Sequence, residues 1–267
     1  MSTTLGAPRP DQASYMLRAA AAEAGRAYKA RLIEWLDLAP GQTVLDAGCG
    51  PGTDLPALAE RVGEAGAVIG VDRDPRMLAR ARERTAGLRA VELCEGDVHE
   101  LPVASGAVDR AKTDRVLMHV ADPAAALSEL HRVTRPGALV ALAEPDWDTL
   151  VVDSDDLDTS RAFTRYTTGY AVRNATIGRS LPRLAAAAGF RVEDVTATTP
   201  VFRDFADADH TLGLGRNLQQ AITEGHIDEA RGRRWFGGLS QGPFFASFTL
   251  VTVIAVRPTA GGRLSRP

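Results

Sequence analysis

Two apolar periods alternate along the chain. Short runs of apolar or β-branched residues bounded by turn residues fall at 43–45, 67–71, 91–94, 107–113 and 138–143. Each predicts a strand, the fourth more polar than the rest. Between them, apolar residues recur at helical spacing. In 54–62, Leu55, Leu58, Ala59 and Val62 share one face, and Pro56 sits in the first turn, where a missing N–H costs nothing. Asp74-Pro75 opens a second helix that turns Met77 and Leu78 inward. Asp122-Pro123 opens a third through Leu127, Leu130 and Val133. Strands alternating with helices predict an α/β fold, a doubly wound sheet of Rossmann-like type.

Before this core, Asp11 or Ser14 caps a helix from about residue 15 to 36, weakened midway by Gly25, and residues 1–10 read as a frayed start. After it, residues 149–180 are polar but carry Phe163, Tyr166 and Tyr170 at roughly helical spacing, then Arg173, Asn174 and Arg179, which predicts an inserted helical cap. A helix at 181–188 ends at Gly189. A strand at 191–198, a helical segment at 206–238 and an apolar strand at 246–256 complete the pattern, and 258–267 reads as a flexible tail.

The chemistry gathers at the ends of the first three strands. Asp46 closes the first, and Gly48, Cys49, Gly50 and Gly52 make a turn before the helix. Without Cβ atoms in the way, a nucleoside can lie against such a turn and meet its free N–H groups. The dinucleotide fingerprint G-x-G-x-x-G is not met, because Thr53 stands at its third glycine. Asp46 would repel a pyrophosphate and suits a cationic amino-acid moiety, which favours S-adenosylmethionine (SAM) over NAD. Asp72 ends the second strand about 20 residues past the turn, where a carboxylate accepts from both ribose hydroxyls.

Val44-Leu-Asp-Ala-Gly-Cys-Gly-Pro-Gly52 resembles motif I of the class I SAM-dependent methyltransferases. The resemblance extends over residues 35–257 and implies a seven-stranded sheet, largely parallel, with an antiparallel strand next to one edge. It implies lid helices at 1–36, a SAM-binding core at 37–148, a helical cap at 149–180 and a C-terminal part of the core with a substrate-site insertion at 181–257. Gly96-Asp97-Val98 is similar to the family's adenine motif: Asp97 accepts from the adenine amino group and the Val98 N–H meets a ring nitrogen. Arg73 either flanks the adenine or is an ordinary solvated arginine. With Asp46, Gly48, Cys49, Gly50, Asp72 and Met77, these are the expected cofactor contacts. Asp114, Arg115 and His119 follow the fourth strand, next to the first, and are expected near the transferring methyl. Leu117-Met-His-Val120 resembles a stretch of the ubiquinone and menaquinone C-methyltransferases. The aromatic groups of the cap and the later insertion suit a small aromatic or lipophilic acceptor, and a looser resemblance to bacterial natural-product methyltransferases implies secondary metabolism, with carbon favoured over oxygen or nitrogen as the atom methylated.

For such a reaction a base takes the acceptor's proton. His119 is the first candidate, then Tyr15 in the lid and Glu144 at the end of the fifth strand; Tyr15 reads equally as a packing residue. Trp147, Phe163, Tyr166, Tyr170, Arg173, Trp235, Phe236 and Phe244 are expected, with Tyr15, to contact substrate, although the cap aromatics read as well as core. Two alternatives stay open, an NAD-dependent oxidoreductase and a non-catalytic SAM-binding protein.

Composition narrows this little. The 267 residues carry a net charge of −3, which gives no footprint for nucleic acid or anionic membrane. Two cysteines make no disulfide framework and no metal-spaced His/Cys cluster appears. No leader or membrane-length apolar run is read, so a cytoplasmic monomer or homodimer is expected.

Overall fold

The computed structural model describes residues 23–259, with side chains from residue 26 onward. Tyr15, the first part of the lid and the tail from 260 lie outside the described residues. In chain order the elements are α1 (Glu23–Trp35), β1 (Thr43–Ala47), α2 (Leu55–Val62), β2 (Ala67–Asp72), α3 (Pro75–Arg84), β3 (Val91–Glu95), β4 (Val108–Asp114), α4 (Pro123–Val133) and β5 (Thr134–Val152). Then come α5 (Leu157–Tyr166), a π-helical turn (Thr167–Ala171), α6 (Ile177–Ala187), β6 (Arg191–Thr198), β7 (Val201–Phe202), α7 (Phe205–Leu212), α8 (Leu214–Thr223), α9 (Glu229–Leu239) and β8 (Ala246–Val256).

The sheet order is β3-β2-β1-β4-β5-β8-β6. The first five strands run parallel, and β8 lies antiparallel between β5 and β6. The chain reaches β3 at one edge and returns to place β4 beside β1, so the crevice off the carboxyl ends of β1 and β4 is the topological switch point. Alternation along β1 sends Val44 into a core with Leu32, Leu36, Leu55, Leu58 and Leu78, and Leu45 into the opposite core with Leu127, Leu130, Leu181 and Val253.

The seven-stranded order, with an antiparallel strand next to one edge, is the one expected, and the two-residue β7 adds to it by pairing with β8 at Ala246 and Ser247. Two expectations are corrected. The fifth strand continues to Val152, because β8 keeps pairing with it across an irregularity between Asp146 and Val151. The helical segment at 206–238 is three helices: Gly213, at φ 65°, breaks α7 from α8, and Asp228 caps α9 by accepting from the Arg231 N–H. These helices pack with α5 against the β5 and β8 extensions, around a third core that includes Phe163, Tyr166, Leu218, Trp235 and Phe244.

Candidate active site

The glycine turn is shaped by backbone that only glycine takes easily. Gly48, Gly50 and Gly52 have φ of 76°, 54° and 73°. A Cβ on Gly48 would stand 2.4 Å from a methyl of Val116, so the turn and the segment after β4 close on each other only through glycine. The N–H groups of Gly48 and Cys49 both donate to the Val71 carbonyl. Burial pushes the Cys49 thiol well above its ordinary range, so it packs as an inert thiol.

Asp72 fastens this turn to β2. Its carboxylate accepts from the Gly50 N–H at 2.8 Å and from the Asp74 N–H at 2.9 Å. The Gly96 N–H donates to the Asp72 carbonyl, which brings Asp97 to the same end of the sheet. A bond from the backbone N–H of His99 is the first cause holding the Asp97 carboxyl below its usual range, and the charge of Arg73 contributes. Met77 is buried at the start of α3, and Val98 is half-buried against the core.

The other end of the crevice is an ion cluster. Asp46 and Lys112 are register partners on β1 and β4, and their side chains meet at 3.0 Å. Lys112 also reaches Asp54 at 2.7 Å. Lys29, from α1, bonds the same Asp54 at 2.9 Å and Asp114 at 2.6 Å, and the Tyr28 hydroxyl donates to Asp114 at 3.1 Å. Arg115 stands 3.5 Å from Asp114. Burial opposes the charge on Lys112, but Asp46, Asp54 and Asp114 outweigh it and hold the ammonium charged. Burial raises the Asp46 carboxyl, whereas the two lysines overcome burial at Asp54 and lower it. The space among Lys29, Gly48, Cys49 and Thr53 is about 10 Å³, at most one water.

The turn after β4 is clamped from two sides. Arg115 takes φ 56°, a conformation that costs a non-glycine residue, of order 1–3 kcal/mol where it is strained. Glu144 offsets it: one carboxylate oxygen accepts from the Val116 and Leu117 N–H groups at 2.8 and 2.6 Å, the other from Met118 at 3.3 Å. Asn174 donates to the Leu117 and Val120 carbonyls, both at 2.8 Å. Glu144 is fully buried, and burial pushes its carboxyl up to about 8. It is the cap of this turn and is removed from the candidate bases. His119 stands at the rim, open to solvent. The protein packed around its ring, and then the charges of Arg73 and Arg115, lower its pKa and keep it neutral.

Most of the expected substrate residues lie elsewhere. Phe163, Tyr166, Trp235, Phe236 and Phe244 are buried in the third core, where the Trp235 indole N–H donates to Ser160 at 2.9 Å. Aromatic spacing in the cap was a core signal. Tyr170 is exposed and stacks on Tyr166 and His226. Trp147 is half-buried, stacked on Phe248, with an indole N–H that lacks a partner among the described residues. Arg173 lines a groove of about 290 Å³ with Thr168, Thr176, Ser180 and Arg183. Sequence reasoning missed Tyr28, Lys29, Asp54, Lys112 and Asn174. The one signal was the unusual polarity of the fourth strand.

A glycine cradle, a carboxylate at the end of β2, a second after β3 and a carboxylate cluster beside the switch point fit the hydroxyls, amine and cationic methionine end of SAM. Fold and site together define a class I methyltransferase. A methyltransferase-domain profile matches residues 38–182, and the chain belongs to this family of SAM-dependent methyltransferases. A 37.1 kDa protein in transposon TN4556 of Streptomyces fradiae is 50% identical over 246 residues, 92% of this chain and 71% of its own length. An arsenite methyltransferase of Halobacterium salinarum is 32% identical over 194 residues, 70% of this chain and 47% of the relative. A demethylmenaquinone methyltransferase of Staphylococcus aureus is 34% identical over 130 residues, 49% of this chain and 54% of the relative. The chain thus spans about half the length of these last two. A SAM-dependent methyltransferase of Aquifex aeolicus shares the fold at a TM-score of 0.54 and 19% identity, over 91% of this chain and 99% of that one. Among the described residues no helix is long and apolar enough to cross a membrane, and no group of three or more His, Cys, Asp or Glu side chains is placed to hold a metal.

Proposed function

We propose that this enzyme methylates a small molecule at carbon, on an electron-rich ring, in bacterial secondary metabolism. The observation that carries the reading is the place of His119, exposed on the loop that faces the glycine turn, with the protein around its ring and the charges of Arg73 and Arg115 lowering its pKa. SAM, when bound, supplies a methyl group activated on a sulfonium. Asp72 and Asp97 would hold its ribose and adenine, and the Asp46, Asp54 and Asp114 cluster would receive its cationic end. As the methyl passed to the ring carbon, sulfur would keep the electron pair of the broken carbon–sulfur bond and His119 would take the proton that carbon loses. Alignment and exclusion of water carry most of the rate. Tyr28 packs against the third core and donates to Asp114, which sets that core beside the crevice and supports a small acceptor. The demethylmenaquinone methyltransferase relative supports a ring carbon as the acceptor.

The arsenite methyltransferase relative suggests a second reading. Trivalent arsenic is soft and seeks thiolates. The chain has two cysteines, one of them buried in the glycine turn with its thiol held protonated, which favours the carbon reading.

The test is calorimetry with SAM, S-adenosylhomocysteine and NAD, followed by methyl-labelled SAM with a naphthoquinol, an indole and arsenite. Label on a ring carbon is expected, with His119→Ala binding SAM normally and losing turnover. Turnover unchanged in that variant eliminates His119 as the base, and label on arsenic alone overturns the acceptor class.

A further inference from the structure

A hydrogen-bond relay behind Asp97 is used by none of the chemistry above. Asp97 turns Oδ1 toward His99, accepting from its backbone N–H at 2.9 Å and from ring Nδ1 at 2.5 Å. The backbone N–H of Asp122 donates to the other ring nitrogen, Nε2, at 3.2 Å. A ring nitrogen that accepts carries no proton, so this network assigns the proton to Nδ1, where it points at Asp97. Asp122 is itself fixed, since its carboxylate accepts from the Ala124 and Ala125 N–H groups at the start of α4.

The same helix grips the loop twice more. Glu129 accepts from the Leu101 N–H at 2.8 Å, and Arg132 donates to the Leu101 and Val103 carbonyls at 3.0 and 2.9 Å. Both bonds from His99 fall on Oδ1. Among the described residues Oδ2 takes neither, and the Asp97 side chain is 45% exposed. The carboxylate therefore cannot rotate freely: one oxygen is held from behind and the other faces out.

We propose that His99 is a positioning residue that makes Asp97 selective for a 6-aminopurine. By occupying Oδ1 it leaves one oriented acceptor, Oδ2, which takes an exocyclic N–H and repels a 6-oxo group. This rests on the reading of Asp97 as the adenine acceptor. His99 does not touch the purine. It acts through the orientation of Asp97.

The test titrates the full chain with S-adenosylhomocysteine and with its deaminated analogue, S-inosylhomocysteine, which differs only in the purine ring. Wild type should prefer the amino compound at least about tenfold, the scale of a hydrogen bond to a charged group, and Asp97→Ala should erase the preference. His99→Leu should cut the preference several-fold, and His99→Asn, whose amide N–H can replace the Nδ1 donor, should restore it. A residue that merely stabilised the loop would weaken both ligands alike and leave their ratio unmoved. No preference in wild type overturns the adenine role of Asp97 and the proposal with it. A preference that Asp97→Ala erases but His99→Leu retains overturns the role of His99 alone.

Discussion

The two ends of the cofactor crevice are built by different physics. At the end proposed to take ribose and adenine, Asp72 and Asp97 are half-buried carboxylates held by backbone N–H groups a few residues away or in the facing turn. At the end proposed to take the methionine moiety, Asp46, Asp54 and Asp114 are buried and meet side-chain ammoniums brought from α1 and β4. The first end is made rigid by local geometry that water can still reach. The second has given up hydration, so its charges are stable only as a set.

Removing one member of that set should have the largest effect. Lys112→Met leaves Asp46 without its cation and Asp54 with Lys29 alone. Loss of one partner of a buried pair costs about 3–5 kcal/mol, which urea unfolding would read. The loss should shrink in acid. An unpaired, buried Asp46 has a folded pKa above its unfolded one, so it stabilises at low pH and loses that contribution as pH rises. A deficit that does not change with pH would show that Asp46 titrates alike with and without Lys112.

Glu144 sharpens the contrast, because it is buried like the ion cluster yet held by backbone N–H groups like Asp72. Burial wins there, and the folded carboxyl is pushed up to about 8 against an ordinary value of 4.5. The folded state binds the extra proton between those values. Stability from this group is therefore complete below about pH 4.5 and is lost as pH rises toward 8, at no more than about 1.4 kcal/mol per pH unit. Glu144→Gln should be less stable than wild type by about 1–3 kcal/mol at pH 5, with the gap narrowing toward pH 8. Thermal unfolding across that range checks it, and parallel curves would reject the titration.

At the local end the effect should appear in binding. Asp72→Ala removes the proposed acceptor for the ribose hydroxyls and should weaken SAM by about 1–3 kcal/mol, roughly 5- to 150-fold, by calorimetry. Unchanged affinity would leave Asp72 only its bonds to Gly50 and Asp74.

This contrast also explains what could be read in the sequence. The glycine turn, Asp72 and Asp97 are short-range features, each set by residues adjacent to a strand end, so spacing along the chain carries them. Lys29 meets Asp114 across 85 residues and Lys112 meets Asp46 across 66, and nothing near either lysine announces the pairing. Glu144 read as a base, and the cap aromatics as either substrate contacts or core, for the same reason. A carboxylate at a strand end and aromatics at helical spacing look alike whether they face a ligand or the interior. What separates them is tertiary: three N–H groups of the turn after β4 for Glu144, and a core shared with α7, α8 and α9 for Phe163 and Trp235.

The smallest expected effect tests whether the methionine end also reads charge. Three carboxylates and two lysines leave the cluster one negative charge, which Arg115 faces at 3.5 Å. Tyr28 adds none, since burial raises its hydroxyl to about 12. Lys29 lies nearer the solvent than Lys112, and it comes from α1 rather than from the sheet, so it is the ammonium that can withdraw when a methionine moiety needs more than 10 Å³. In Lys29→Met the cluster gains one negative charge facing the crevice. SAM carries a sulfonium that S-adenosylhomocysteine lacks, and the ratio of their affinities should move toward SAM by about three- to tenfold, or about 0.7–1.4 kcal/mol. If both ligands weaken together and the ratio stays fixed, Lys29 instead holds a group the two share, the methionine carboxylate, and charge at this end serves binding without distinguishing substrate from product.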